Sequence, residues 1–145
     1  MQVHTILKSK GTDGVITVAP GTSVATAARV LSEKRIGSVV VSPDGSGRCD
    51  GVLSERDIVR EVGRRGAGCL QENVEQMMTK RIVTCGLQDS AESVLERMTE
   101  GRFRHMPVVE DGRMVGLITI GDVVKARLTE LKMEKDALEG MIMGF

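Results

Sequence analysis

The chain has 145 residues, and its 20 Lys+Arg are balanced by 20 Asp+Glu, giving a formal net charge of zero. That length can bury one core of ordinary size, and the neutral balance argues against a broad polyanion-binding surface while leaving room for a local basic pocket. With two Phe and neither Tyr nor Trp, the chain lacks the rings on which single-stranded nucleic-acid binders stack bases. An aliphatic core follows, with Met filling irregular gaps.

No apolar run reaches membrane-spanning length, and the N-terminus carries no secretory pattern, so neither a span nor a signal is expected. Cys49, Cys69 and Cys85 are odd in number and widely spaced, without a C-x-x-C. Free thiols in a reducing cytoplasm are the expectation. His4 and His105 are the only histidines, so no set of zinc ligands is offered and no metal site is expected.

In chain order, a short apolar-polar stretch at Val3–Leu7 reads as a lead-in helical turn. A β-branched strand follows at Val15–Val18. Val24, Ala27, Ala28 and Leu31 then fall at helical spacing, giving an amphipathic helix. Ile36–Val41 is nearly continuous in apolar character, as a strand covered on both faces should be. Pro43-Asp44-Gly45-Ser46-Gly47 predicts a turn, and Gly51–Leu53 a third strand running into a second helix. That glycine-rich turn matches neither G-x-G-x-x-G nor a P-loop, so a hairpin loop is the reading. Gly63–Gly68, rich in Gly and Arg, reads as a linker.

The order then repeats. Val74–Met78 is a second lead-in and Ile82–Thr84 a second β-branched strand. A helix carries Ala91, Val94, Leu95 and Met98, with Asp89 or Ser90 as N-cap. Phe103–Val109 is a buried strand, Glu110-Asp111-Gly112 a turn, and Gly116–Ile118 a strand leading into the last helix. Each unit is β-α-β-β-α, and pairing two units covers sheet faces that one would leave bare. Beyond Asp122 the helix continues, with Val124, Leu128, Leu131, Leu138 and Met141 at spacings close to seven. Such an arm either packs on the body or pairs with a second chain.

Two patterns carry chemistry. Ser54-Glu55-Arg56-Asp57 and Thr119-Ile120-Gly121-Asp122 each place a hydroxyl three residues before a carboxylate at a helix start. Locally this is a capping-box variant. The same geometry can also bind an anion or sugar hydroxyls, the carboxylate accepting from a ribose. The second pattern is Arg102-Phe103-Arg104-His105-Met106-Pro107, whose guanidinium groups and imidazole suit a phosphate. The matching place in the first unit reads Arg35-Ile36-Gly37-Ser38-Val39, without the second Arg and the His, so two unlike sites are expected. Arg56, Arg60 and Arg64 share one helix face with Arg65 beside it, as cations near a helix C-terminus commonly do.

The duplicated strand–helix–strand order, with R-H-x-P-V-V followed by G-h-h-[ST]-x-x-D, resembles a tandem pair of cystathionine-β-synthase-type (CBS) domains of the stand-alone bacterial kind, over about residues 10 to 127. The resemblance implies an α/β (α+β) fold of two β-α-β-β-α repeats with pseudo-twofold symmetry and an extended C-terminal helix. Its expected divisions are 1–68 for the first repeat with lead-in and linker, 69–127 for the second and 128–145 for the helical arm. It also implies two clefts. One would combine Ser54, Arg56 and Asp57 with Val83, Thr84, Arg104, His105 and Pro107; the other would combine Thr119 and Asp122 with Ile16, Thr17, Gly37 and Ser38.

In such clefts adenine meets apolar strand residues, the Asp holds ribose and basic residues meet phosphate. Ligands across the family include AMP, ADP, ATP, NAD(H) and S-adenosylmethionine. The implied function is a cytoplasmic, homodimeric, non-catalytic regulatory sensor of an adenine nucleotide, AMP foremost, with no catalytic cofactor and a separate target protein. The alternative is a ligand-free dimerisation or adapter protein. An enzyme is disfavoured because no nucleophile has a His partner, and nucleic-acid binding because the net charge is zero and aromatics are almost absent.

Overall fold

A computed structural model describes residues 1–10, 15–45 and 47–144 of the chain; Ser46 of the expected turn and Phe145 of the expected arm lie outside them. Among the described residues five helices and five strands follow in order: α1 (Val3–Lys10), β1 (Thr17–Val18), α2 (Val24–Lys34), β2 (Ser38–Val41), β3 (Gly51–Ser54), α3 (Glu55–Arg65), α4 (Ala91–Gly101), β4 (His105–Glu110), β5 (Arg113–Thr119) and α5 (Ile120–Ile142). Two 3-10 turns, Ala67–Gln71 and Val74–Gln76, stand between α3 and α4. The mixed helix-and-strand class expected from the sequence is the one found. The chain forms two compact units that do not follow chain order.

One unit comprises Gly14–Val83 and Val109–Val115. Its sheet has the order β1-β2-β3, with β1 parallel to β2 and β2 antiparallel to β3. All four residues of β2 are buried, matching the apolar run read as a strand covered on both faces. Val24, Ala27 and Leu31 of α2 pack on Val39, Val41 and Leu53 of the sheet and on Ile58 of α3. The 3-10 turns belong here too: Cys69, Val74 and Met77 join the same core. Ser23 caps α2 by accepting from the Thr26 amide. The expected linker at Gly63–Gly68 is instead helical through Arg65, and the chain leaves α3 at Gly66 with a positive φ of 82°. Bonds from Arg65 to Glu61 and Glu72 brace that exit.

The other unit comprises Met1–Asp13, Thr84–Val108 and Gly116–Phe145. Val3 and Ile6 of the lead-in helix α1 are buried with Ala91, Val94 and Met98 of α4, Ile118 of β5 and Val123 of α5. Residues at the start of the chain thus complete the core of the later repeat, just as the second lead-in completes the core of the earlier one. Ser90, not Asp89, is the N-cap of α4. Asp111-Gly112, which fall in the unit of Gly14–Val83 and Val109–Val115, make the β4–β5 hairpin turn with φ values of 52° and 77°, both positive, the conformation that a two-residue Asp-Gly hairpin turn requires.

The strand expected at Ile82–Thr84 is not formed; the second repeat keeps only a parallel bridge between Cys85 and Val108. Proline explains the loss. In the first repeat the Val40 amide donates to the Ile16 carbonyl at 3.1 Å, and this bond carries the ladder back along β1. Pro107 stands at the corresponding place of β4, with no N–H to give. One bond survives beyond it, from the Cys85 amide to the Pro107 carbonyl at 3.0 Å. The expected strand Val15–Val18 is likewise shorter, at Thr17–Val18.

Because Ile6 is only 3% exposed, Ile6→Ala should cost about 2–4 kcal/mol of unfolding free energy. Denaturant titration checks this, and a cost within about 0.5 kcal/mol, as at a surface position, would show that α1 does not complete that core.

Candidate functional site

Each repeat makes a strand-to-helix junction of the same construction. At the β3–α3 junction the Ser54 side chain accepts from the Asp57 amide at 3.2 Å, and Asp57 Oδ2 accepts from the Ser54 amide at 3.0 Å. At the β5–α5 junction Thr119 Oγ1 accepts from the Asp122 amide at 3.2 Å, and Asp122 Oδ2 accepts from the Thr119 amide at 2.9 Å. Both are reciprocal capping boxes with Asp in the acidic position. Each satisfies two amides at the helix start and pins a carboxylate there.

The next strand over abuts each junction. Ser38 pairs with Ser54 in the β2–β3 ladder, and the Glu55 amide donates to the Gly37 carbonyl at 2.9 Å. In the second repeat the Ile120 amide donates to the Arg104 carbonyl, also at 2.9 Å. The structure therefore brings Gly37, Ser38, Ser54 and Asp57 together in one unit, and Arg104, Thr119 and Asp122 in the other. Ile16 and Thr17 lie at β1 beside β2, and His105 and Pro107 lie in β4. Arg56 and Arg104 are exposed, Pro107 is buried, and Val83 and Thr84 are exposed on the segment that forms no strand.

The arginines before these strands share a second property. Arg35 and Arg102 close α2 and α4 in the left-handed region, with φ of 54° and 56°. Glycine is the usual occupant of such a helix end. The matched use of Arg at both ends is a further sign that the halves are copies.

The two carboxylates differ in their partners. Asp57, 8% exposed, receives a bond to Oδ1 from Arg60 at 3.0 Å, one turn on along α3. That guanidinium is mostly in solvent, with 56% of its side chain exposed. Asp122 is met by Lys10 of α1, whose Nζ lies 2.8 Å from Oδ2 and also donates to the Leu117 carbonyl at 3.0 Å. Burial opposes the charge on Asp122, but the bonds from Lys10 and the Thr119 amide prevail and hold its carboxyl below the usual value of 3.8.

Sequence reasoning did not find Lys10, because no local spacing links it to a residue so far along the chain. It also missed a brace behind Thr84. Arg97 of α4 donates to the Thr84 carbonyl and to Asp89 Oδ2, both at 2.9 Å, and Asp89 in turn accepts from the Gly86 amide at 2.8 Å. The Gly86 amide and Arg97 together lower the Asp89 carboxyl from its ordinary value. Burial pushes the Cys85 thiol inside this loop up to about 11, which keeps it protonated and unreactive at neutral pH. All three cysteines are free, and no cluster able to hold a metal occurs among the described residues. None of the helices among those residues is long and apolar enough to cross a membrane.

Because its folded-state pKa is depressed, Asp122 contributes stability above its unfolded value near 3.8, and that contribution is lost as pH falls through the lower folded value. Lys10→Met should raise the Asp122 pKa and move this loss to higher pH. Carboxyl-carbon NMR titration of both proteins checks the sign; an unmoved Asp122 would contradict the Lys10 contact.

The comparisons agree with this reading of two related halves. The CBS domain family model matches the chain twice, at residues 11–64 and 74–129. The mitochondrial CBS domain-containing protein CBSX3 of Arabidopsis thaliana is 30% identical over 98% of this chain and 72% of its own length. Among solved structures, a CBS-domain containing protein from Agrobacterium tumefaciens is 46% identical, covers 88% of this chain and 99% of its own, and has a TM-score of 0.82. A CBS domain protein from Pyrobaculum aerophilum, solved as a complex with AMP, is 25% identical over 92% of this chain and 99% of its own, with a TM-score of 0.76. A tandem match of this extent, on two copies of one junction, makes the chain a member of the CBS domain family.

Proposed function

We propose that the chain is a non-catalytic regulatory module that binds an adenosine nucleotide, AMP foremost, with ATP or NAD(H) as the other candidates. The observation that carries the reading is the repeated junction: each half fixes a carboxylate and a hydroxyl at a helix start, where ribose hydroxyls can be gripped. The AMP complex of the Pyrobaculum relative supports the ligand class.

In the proposed arrangement Ser54, Arg56 and Asp57 act with Val83, Thr84, Arg104, His105 and Pro107. Asp57 keeps its bond to the Ser54 amide and exchanges the exposed Arg60 for a ribose hydroxyl, since an ion pair open to solvent holds its partner weakly. Arg104 and His105 meet the phosphate. Val83 and Thr84 lie against the base, their backbone freed from any ladder by Pro107 and steadied by Arg97. The other set, Thr119 and Asp122 with Ile16, Thr17, Gly37 and Ser38, is the weaker site. It offers no Arg-His pair, and Lys10 already occupies its carboxylate.

The nucleotide then acts by favouring one conformation of a cytoplasmic homodimer, to the extent that it binds that conformation more tightly, and a separate protein reads the change. Free cysteines suit a reducing compartment.

Calorimetry with AMP, ATP and NADH tests the reading. Wild type should bind AMP, Arg104→Ala should lose about 10- to 100-fold in affinity through the missing charge-assisted bonds, and Asp122→Asn should leave the tighter site within about threefold. If no nucleotide binds, the reading fails and a ligand-free adapter takes its place.

A further inference from the structure

The last helix carries a surface that the nucleotide reading does not use. Of its 23 residues only Val123 and Ala126 are buried. From Leu131 to Met143 every residue except Gly140 is exposed, although the segment includes Leu131, Met133, Leu138, Met141, Ile142 and Met143. A helix with this much bare apolar surface, about 35 Å long, marks an interaction site. Its first turns are anchored in a core, so the costly nucleation step is already complete.

The stripe has heptad order. Val124, Leu131 and Leu138 fall at one core position, and Leu128, Lys135 and Ile142 at the other. Alternating steps of four and three define a two-helix seam. Their exposures of 42%, 49% and 59% in the first series, and 63% and 84% for Leu128 and Ile142, show that the seam is unpartnered in the single chain. Lys135 interrupts it once, as a single polar core residue does when it sets register.

The flanking charges decide what can cover it. In a parallel pair of identical helices Arg127 of one chain meets Lys132 of the other, Glu134 meets Glu139, and Lys135 faces Lys135. Every such meeting is between like charges. Turned antiparallel, Lys132 of one chain meets Glu139 of the other, twice by symmetry, while each Lys135 lies against Leu138 and can extend its ammonium to solvent. Leu131 then packs on Ile142. We propose that the exposed arm of α5 pairs antiparallel with the same arm of a second copy of this chain, in this register.

Sedimentation equilibrium on the whole chain, at up to about 0.1 mM as befits a small seam, tests the pairing. Wild type should be a reversible dimer. K132E and E139K should each weaken association about tenfold, and the double exchange should return it to within about twofold of wild type. All three change only the exposed arm, and thermal melts by circular dichroism verify the fold. L138D should abolish association over this range. The proposal is overturned by a monomeric wild type, by an L138D dimer of unchanged affinity, or by a double exchange that fails to recover. It is equally overturned if the single reversals tighten the dimer, the sign that a parallel pair requires.

Discussion

A two-way bond between a hydroxyl residue and an aspartate three places later governs how each half of this molecule is built. The aspartate's own amide is tied to the Ser54 or Thr119 oxygen, and its carboxylate returns to the amide of that residue. The strand's last residue and the helix's first turn are thereby locked in one geometry. A cap of this kind contributes about 1 kcal/mol, modest beside the burial of a core. Its larger consequence is placement: a charged oxygen ends up at a helix N-terminus, at the edge of a buried strand, with little freedom left to lose on meeting a ligand.

The halves diverge around that shared junction. Pro107 removes a ladder bond that Val40 makes, so the segment carrying Val83 and Thr84 is open where its counterpart at Ile16 and Thr17 is paired. Arg104 and His105 stand where the first repeat has Gly37 and Ser38. Lys10 sits on Asp122, while among the described residues the cation that meets Asp57 is the largely exposed Arg60. On the proposed nucleotide reading, each difference would act in the same direction, favouring the Ser54–Asp57 set over the Thr119–Asp122 set.

Much of this was legible in the residues. Apolar spacing located α2 and α4 because their buried positions, Val24, Ala27 and Leu31, then Ala91, Val94 and Met98, recur at helical period. The capping boxes were legible because they are local in sequence. Long-range choices were not. Nothing in the pattern of Val3–Leu7 tells which core it fills, since any apolar face would accept it, and the structure places it with the later repeat. The strand expected at Ile82–Thr84 is absent for a reason that the residues contain, a proline in its intended partner. Gly63–Gly68 misled because its glycines suggested a linker, whereas its arginines continue α3 through Arg65 before Gly66 turns the chain away.

On the proposed reading the Ser54–Asp57 junction, and not its counterpart, is the principal place where a nucleotide is held. Two-dimensional amide NMR with stepwise AMP reads this directly. The account predicts that resonances of Ser54 to Asp57 and of Phe103 to His105 move first and saturate together, with Thr119 to Asp122 following only at higher concentration. Saturable shifts that leave Ser54 to Asp57 untouched, or that reach Thr119 to Asp122 first, would contradict it.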